Sequence, residues 1–346
     1  MNLRKLYQWV KKGSRRWTGL TRFERQNIID FSRGVVRSQS SQLRTIARSV
    51  GNDSQRRRLQ RFVGGELDMK AWGQAWSAWV VQEFRVRAVT LAVDETKINA
   101  RIGVMVVGMV YEGRCIPLVW RVYRANDQAA YPAEGQARMI IRLLKVVRAG
   151  LGGSQRVRVL ADRGIGTSPL LMRGISALGW TFLFRVTKQS KVILSDGQAI
   201  CFYDQVTQPG QTYRATGSVF KKRGHIPAHV RVLWAAHARE PWALVTNDST
   251  LSGFEYAQRM WIEQAFRDLK SHGWQWQRSS LEVPYRVERL LVLLVVAYAW
   301  MLKCGTYLAQ HHTLSAPKRL LDGSYVRRLS LFHEGLYAVL ANSPGF

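Results

Sequence analysis

Hydrophobic and polar positions follow two different periods along this chain, and the period changes near residue 87. Before that point the spacing is helical. "ERQNIIDFSRGVV" places Ile28, Ile29 and Phe31 near helical intervals. "SSQLRTIARSV", a Gly-Asn-Asp-Ser break and "SQRRRLQRFV" predict helix, tight turn and helix, with Asn52, Asp53 or Ser54 capping the second. "LDMKAWGQAWSAWVVQEF" (67–84) sets Trp72, Trp76, Trp79 and Val80 on one helical face, a stripe that reads as packing onto the next segment. After residue 87 the runs become short and β-branched. "RAVTLAVD" (87–94) ends in an acid, and "RIGVMVVGMVYEGRCIPLVWRVYR" (101–124) is two strands around a Glu-Gly-Arg turn. Then come a helix in "EGQARMIIRLLKVVRAG" (134–150), a strand in "QRVRVLADRG" (155–164), a helix in "TSPLLMRGISALG" (167–179) and a strand in "WTFLFRVT" (180–187).

This order predicts an antiparallel meander of three strands, followed by strands that arrive through helices and can pair in parallel. The fold class expected is α/β: an RNase H-like mixed-sheet core, with a β-rich insertion and an N-terminal all-helical region. The divisions are 1–86 helical, 87–187 the first part of the core and 188–250 the insertion. Residues 251–310 form the rest of the core, and 311–346 a C-terminal helical tail. Residues 325–340 read as a basic, amphipathic last helix. The run "LLVLLVVAYAWML" (290–302), bracketed by Arg289 and Lys303, is short for a bilayer span and reads as a buried core helix.

Charge adds a partner. The chain carries 52 Lys+Arg against 23 Asp+Glu, a formal net charge of +29. Such a field repels itself and attracts polyanions, and nucleic acid is the natural one. Residues 1–65 hold 16 Lys/Arg and three acids, Glu24, Asp30 and Asp53. Arg56, Arg57, Arg58 and Arg61, beside the tight turn, are candidates for DNA contact in a helix-turn-helix-like arrangement. A solvated basic helix in a bundle is the plainer alternative. Three scattered cysteines and the absence of Cys/His clusters argue for a reducing compartment and no structural metal. The N-terminus has no signal-peptide-like apolar run, so a cytoplasmic protein of the nucleoid or plasmids is expected. No membrane partner is expected. No G-x4-G-K-[ST] loop is present, so no nucleotide cofactor is expected either.

Two acids stand where strands are predicted to stop, Asp94 in "LAVDET" and Asp162 in "VLADRG". Each alone fits a turn or helix cap. On neighbouring strands they would converge at one sheet edge, where open α/β sheets place ligands. Downstream, "YAQRMWIEQAFRDLK" (256–270) puts Tyr256, Arg259, Glu263 and Lys270 within roughly 60° of one another on an α-helix, along about 21 Å. An exposed ion-pair ladder is one reading. The other is a phosphoryl-transfer site, in which carboxylates hold divalent cations and the flanking cations hold phosphates.

These motifs resemble the Tyr-x2-Arg-x3-Glu-x6-Lys signature and two upstream Asp-ended strands of the DDE transposases of bacterial insertion sequences, family four. "DLKSHGWQWQRS" and the apolar run after it also resemble the segment C-terminal to the signature in that family. The resemblance implies Asp94, Asp162 and Glu263 as catalytic ligands of Mg²⁺ or Mn²⁺, with two ions expected. It implies Tyr256, Arg259 and Lys270 as phosphate contacts. Arg163, directly after Asp162, is a further candidate for phosphate, with a solvated Arg the equal alternative. It implies a Trp in the insertion that stacks on a flipped base; Trp234 and Trp242 are the two available, and a Trp at either position is more often core. The activity implied is cut-and-paste transposition: metal-dependent nicking at element ends, then 3′-OH strand transfer into target DNA. A homodimer acting on double-stranded DNA, terminal inverted repeats and target, is implied as well. A structure-selective nuclease or resolvase and a non-catalytic, transposase-derived DNA-binding protein are the competing readings.

Overall fold

The computed structural model describes residues 2–343 except 126, 128, 130, 154, 221–223, 237, 312–313, 317, 320–324 and 327–328. Five helices come first: α1 (Leu3–Ser14), α2 (Arg22–Ser38), α3 (Leu43–Val50), α4 (Asp53–Gly64) and α5 (Met69–Glu83). Their starts follow local chemistry. Thr21 and Glu24 form a reciprocal capping box on α2. Asn52 caps α4 by accepting from Ser54 N, and Asp68 caps α5 by accepting from Lys70 N and Ala71 N.

The core comes next as β1 (Ala88–Lys97), β2 (Ile102–Tyr111), β3 (Arg114–Arg124), α6 (Gly135–Leu151), β4 (Arg156–Ala161), the single turn α7 (Arg163–Gly166), α8 (Pro169–Ala177) and β5 (Thr181–Arg185). Beyond it are β6 (Lys191–Ile193), β7 (Ala199–Cys201), β8 (Thr212–Val219), β9 (Ile226–Leu233) and β10 (Trp242–Thr246). The helices α9 (Met260–Leu269), α10 (Pro284–Gln310) and α11 (Leu331–Ala341) close the chain.

The sheet order is β3-β2-β1-β4-β5-β10-β9-β8-β6-β7. β1, β2 and β3 are the antiparallel meander expected, and β4 and β5 join it in parallel. This mixed sheet is consistent with an RNase H-like core. The β2–β3 turn is two residues, Glu112 and Gly113, both at positive φ (44° and 79°). That geometry matches the twist of a tight hairpin and explains a glycine there. β3 is an edge strand. It carries Pro117, which has no N–H to pair, opposite a bulge between Val107 and Gly108.

Helices cover both faces. Val119 of β3 faces Gly73 of α5, while the next residue, Trp120, donates its indole N–H to the Glu288 carbonyl of α10 on the other side. α6 and α8 share the α5 side, and α9 shares the α10 side. The Trp stripe of α5 is core: Trp76 donates to Pro117 O, Trp79 lies 4.4 Å from Trp9, and Trp9 lies 4.9 Å from Trp300. One apolar core runs from the N-terminal helices through the sheet to α11. α10 is long and apolar enough to cross a bilayer, yet it is buried among β3, α2, α4 and α11. The charges bracketing its apolar run are tied down: Arg289 donates to Val63 O, and Lys303 to Glu83 O.

The strands of 188–250 extend the core sheet, because β10 pairs antiparallel with β5 and carries β9, β8, β6 and β7 onto it. Two expectations are corrected. β1 does not stop at Asp94 but runs to Lys97, because β2 keeps pairing as far as Lys97 opposite Gly103. The last helix starts at Leu331 rather than 325, since Ser330 caps it at His333 N; Tyr325–Val326 pair instead with Lys318–Arg319, and Arg327 and Arg328 lie outside the described residues.

α9 is anchored by a buried ion pair. Arg114 Nε donates to Asp268 Oδ2 at 2.7 Å, and the Asp268 side chain is 3% exposed. The Tyr298 hydroxyl of α10 points at the same oxygen. Removing the carboxylate leaves a guanidinium with little water to turn to. Asp268→Ala is therefore expected to cost about 3–5 kcal/mol, read as a lower urea midpoint with an unchanged m-value.

Candidate active site

Strand register sets the site. Val93 of β1 pairs with Ala161 of β4, and Ala161 with Phe184 of β5. The next residues, Asp94, Asp162 and Arg185, therefore stand level on three adjacent strands, about 5 Å apart from one strand to the next. Asp94 lies inside β1, held on its other side by Val106. Its Oδ1 accepts from Glu95 N at 2.9 Å, and its Oδ2 from Arg259 Nη2 at 3.0 Å. Burial pushes the Asp94 carboxyl up to about 6, outweighing the opposite pull of Arg259; the charges of Asp162 and Glu263 add to the rise. Asp162 ends β4 and begins α7. Its Oδ1 caps that turn by accepting from Ile165 N at 3.0 Å, and its Oδ2 lies 3.7 Å from the same Arg259 nitrogen. The cap reading and the site reading thus use different oxygens of one carboxylate.

The signature segment is not one uniform α-helix. Gly253, at φ +102°, makes a turn that a side chain would strain, and a Cβ there would meet Leu233. Glu255 accepts from the Ser252 hydroxyl and Gly253 N, and Phe254–Arg259 then form a 3₁₀ helix that leads into α9. In a 3₁₀ turn, residues three apart eclipse, so Tyr256 and Arg259 share a face more closely than α geometry gives. Glu263 sits in the first turn of α9, and Lys270 caps its end. Tyr256 is buried over Leu160, Leu183, Leu244 and Leu251, with Trp242 edge-on at 5.2 Å.

Arg259 is the hub. Nη1 donates to Glu263 Oε1, while Nη2 serves Asp94 and approaches Asp162. Its Nε is buried with no hydrogen-bond partner. The three carboxylates are thus brought together around one guanidinium. The residues expected to touch phosphate are turned inward in this state. Arg259 is 9% exposed, Tyr256 is buried, and Lys270 Nζ donates to Thr96 Oγ1 at 2.6 Å and Lys97 O at 2.7 Å. Burial lowers the Lys270 pKa.

Of the remaining candidates, Arg56, Arg57 and Arg61 are exposed on α4. Arg58 is not: it pairs with Asp30 at 2.5 Å and donates to Asn27 Oδ1, beside the Phe31 ring. Arg163 is exposed beside Asp162. Trp234 is half-buried and donates to Ala238 O, and it stands in no described contact with the carboxylates. Trp242 is half-buried against Tyr256. Arg185, Lys188 and Glu240, grouped beside Asp162, were not singled out by sequence reading. The one local sign is a charge ending the apolar strand "WTFLFR".

The donor set is all oxygen, which suits a hard divalent cation. One nitrogen of Arg259 already lies within 3.7 Å of an oxygen of both Asp94 and Asp162, so a cation's charge is accommodated at this point. Among the described residues, no three His, Cys, Asp or Glu side chains form a group that could hold a metal ion; the guanidinium stands between the three carboxylates. Asp94 and Asp162, with Glu263, fit a divalent ion in chemistry, provided Arg259 withdraws.

No curated protein matches the chain. Among solved structures, it is similar to the C-terminal lobe of a budding yeast Argonaute, at 11% identity and TM-score 0.23, over 75% of this chain and 57% of that one. It is also similar to Kluyveromyces polysporus Argonaute with a guide RNA, at 12% identity and TM-score 0.20, over 76% of this chain and 34% of that one. Both likenesses are too distant to bear on fold or function. The family model for the transposase DDE domain matches residues 123–300, more than half of the chain. The matched span contains Asp162, Glu263 and the whole signature, and it begins after Asp94. This chain therefore belongs to the DDE-domain transposases.

Proposed function

We propose that this transposase is of the insertion-sequence family-four type, and that it moves its element by nicking the ends and joining the freed 3′-OH to target DNA. The observation that carries the reading is the convergence of Asp94, Asp162 and Glu263 on one guanidinium at a sheet edge, in a chain of net charge +29. Divalent ions held by those carboxylates, magnesium or manganese, would supply positive charge to the attacking and leaving oxygens. The chain's own residues do the rest. The strands hold Asp94 and Asp162 level, and α9 brings Glu263 to them. Release of Arg259 and Lys270 from their internal partners gives two cations for phosphates flanking the cut. Trp242, already edge-on to Tyr256, is the better placed of the two tryptophans to stack on an unpaired base. Arg56, Arg57 and Arg61 present an exposed basic face to the element end, and two subunits hold two ends.

Strand transfer exchanges one phosphodiester for another, so no nucleotide is consumed. A nuclease of the same fold would stop at hydrolysis, and joining tells the two apart. The purified protein, a labelled duplex already cut to a 3′-OH end and a supercoiled plasmid are mixed in Mg²⁺ or EDTA. Label transferred to the plasmid only with Mg²⁺ is the result expected. Plasmid nicking without transfer would favour the nuclease, and binding with neither would favour a DNA-binding relic.

A further inference from the structure

One acid beside the carboxylate cluster is surrounded by cations. Glu240 Oε1 accepts from Arg185 Nη2 at 2.5 Å, and its Oε2 lies 2.9 Å from Lys188 Nζ. Arg163 Nη1 is 3.9 Å from Oε1. The three cations come from three places: the end of β5, the segment just after it and the start of α7. Two of them have a contact besides Glu240. Arg185 also approaches Pro241 O, which the Tyr203 hydroxyl fixes at 2.8 Å, and Lys188 lies 5.4 Å over the Tyr203 ring. Arg185 Nε is buried without a hydrogen-bond partner. The group therefore keeps two positive charges and a donor beyond what one carboxylate satisfies.

Its position gives it a ligand. Arg185 is level with Asp162 on the neighbouring strand, and Arg163 comes directly after Asp162. A phosphodiester carries one negative charge on two free oxygens, as a carboxylate does. Glu240 is about one-third exposed and Lys188 half exposed, while Arg185 is the more buried partner, so water reaches the carboxylate and an anion of the same charge can exchange with it.

We propose that Arg163, Arg185 and Lys188 bind a backbone phosphate of the DNA strand running out from the carboxylate cluster, and that Glu240 occupies this site until DNA arrives. The nature of the ligand rests on the transposase reading; the masking does not need catalysis. The test is binding alone, in EDTA, to a fluorescein-labelled duplex of mixed sequence followed by anisotropy over a salt series. The joining assay reads the catalytic claim separately. Glu240→Gln is expected to bind about three- to tenfold tighter, with the slope of log K against log salt steeper by about one, as for one more neutralised phosphate. Glu112→Gln, an exposed acid in the β2–β3 turn, controls for net charge and is expected to change the slope by much less. Adding Arg163→Gln and Lys188→Gln to the Glu240 variant is expected to cancel the gain at unchanged melting temperature. A Glu240→Gln effect no larger than that of Glu112→Gln, a gain that survives loss of both cations, or no duplex binding by any variant would each overturn the proposal.

Discussion

Asp94→Asn is expected to lower nicking and joining by at least about a thousandfold while raising the melting temperature at pH 8. The two effects share a cause. Asp94 is 9% exposed and its carboxyl is pushed up to about 6 by burial, against about 3.9 in an unfolded chain. An acid whose folded pKa is raised favours folding in its protonated form. Its contribution is whole below the unfolded pKa and is lost as pH rises through the folded one. Holding the ionised carboxylate at pH 8 therefore costs up to about 3 kcal/mol, at 1.36 kcal/mol per unit. Asn keeps the shape without the charge. In EDTA its advantage is expected to be a few degrees at pH 8 and to shrink toward zero as pH falls from 6 to 4. Glu263→Gln is the comparison. Its side chain is 34% exposed, so activity is expected to vanish with little change in stability at either pH. An Asp94→Asn variant no more stable than wild type at pH 8 would mean that Arg259 fully compensates the buried charge, and one equally stabilised at pH 4 would mean that the gain does not come from removing the charge.

What was legible in the sequence is what local spacing determines. Short β-branched runs leading to Asp94 and Asp162 need only the strand period to be seen, and the pairing of Arg259 with Glu263 needs only the helical one; the 3₁₀ turn that places Tyr256 lies outside that period. Pairing register is a different matter. That Arg185 joins Asp94 and Asp162 in one row depends on Ala161 meeting Phe184, a match made across a helix and two loops. That β10 closes against β5, and so fuses the expected insertion into the main sheet, depends on partners some 60 residues apart. Arg58 looked like its neighbours in "QRRRLQR", yet Asp30, 28 residues earlier, turns it inward. The inward state of Arg259 was hidden for the same reason. A guanidinium four residues before Glu263 predicts an i,i+4 pair, but nothing local says that carboxylates from two neighbouring strands meet it as well.

That convergence leads to the other large effect. Arg259→Ala is expected to destabilise the protein in EDTA by about 2–4 kcal/mol. Breaking a buried pair by removing one partner costs about 3–5 kcal/mol, and the partial exposure of Asp162 and Glu263, at 37% and 34%, lets water take back part of it. The loss should be smaller at low pH, where Asp94 takes up a proton and leaves less charge unpaired. Magnesium should then distinguish the variant from the wild type. In the wild type, a cation must displace the guanidinium from the oxygens it would use, so the metal's binding energy is partly spent and the melting temperature rises little. In the variant those oxygens are unopposed, and millimolar Mg²⁺ should restore several degrees through binding to the folded state alone. Restoration by Mg²⁺ in the variant, with a small response in the wild type, would mean that Arg259 holds the carboxylates ready by standing in for the ion. Equal responses would mean that the guanidinium and the metal use different oxygens, and the withdrawal of Arg259 would no longer be required.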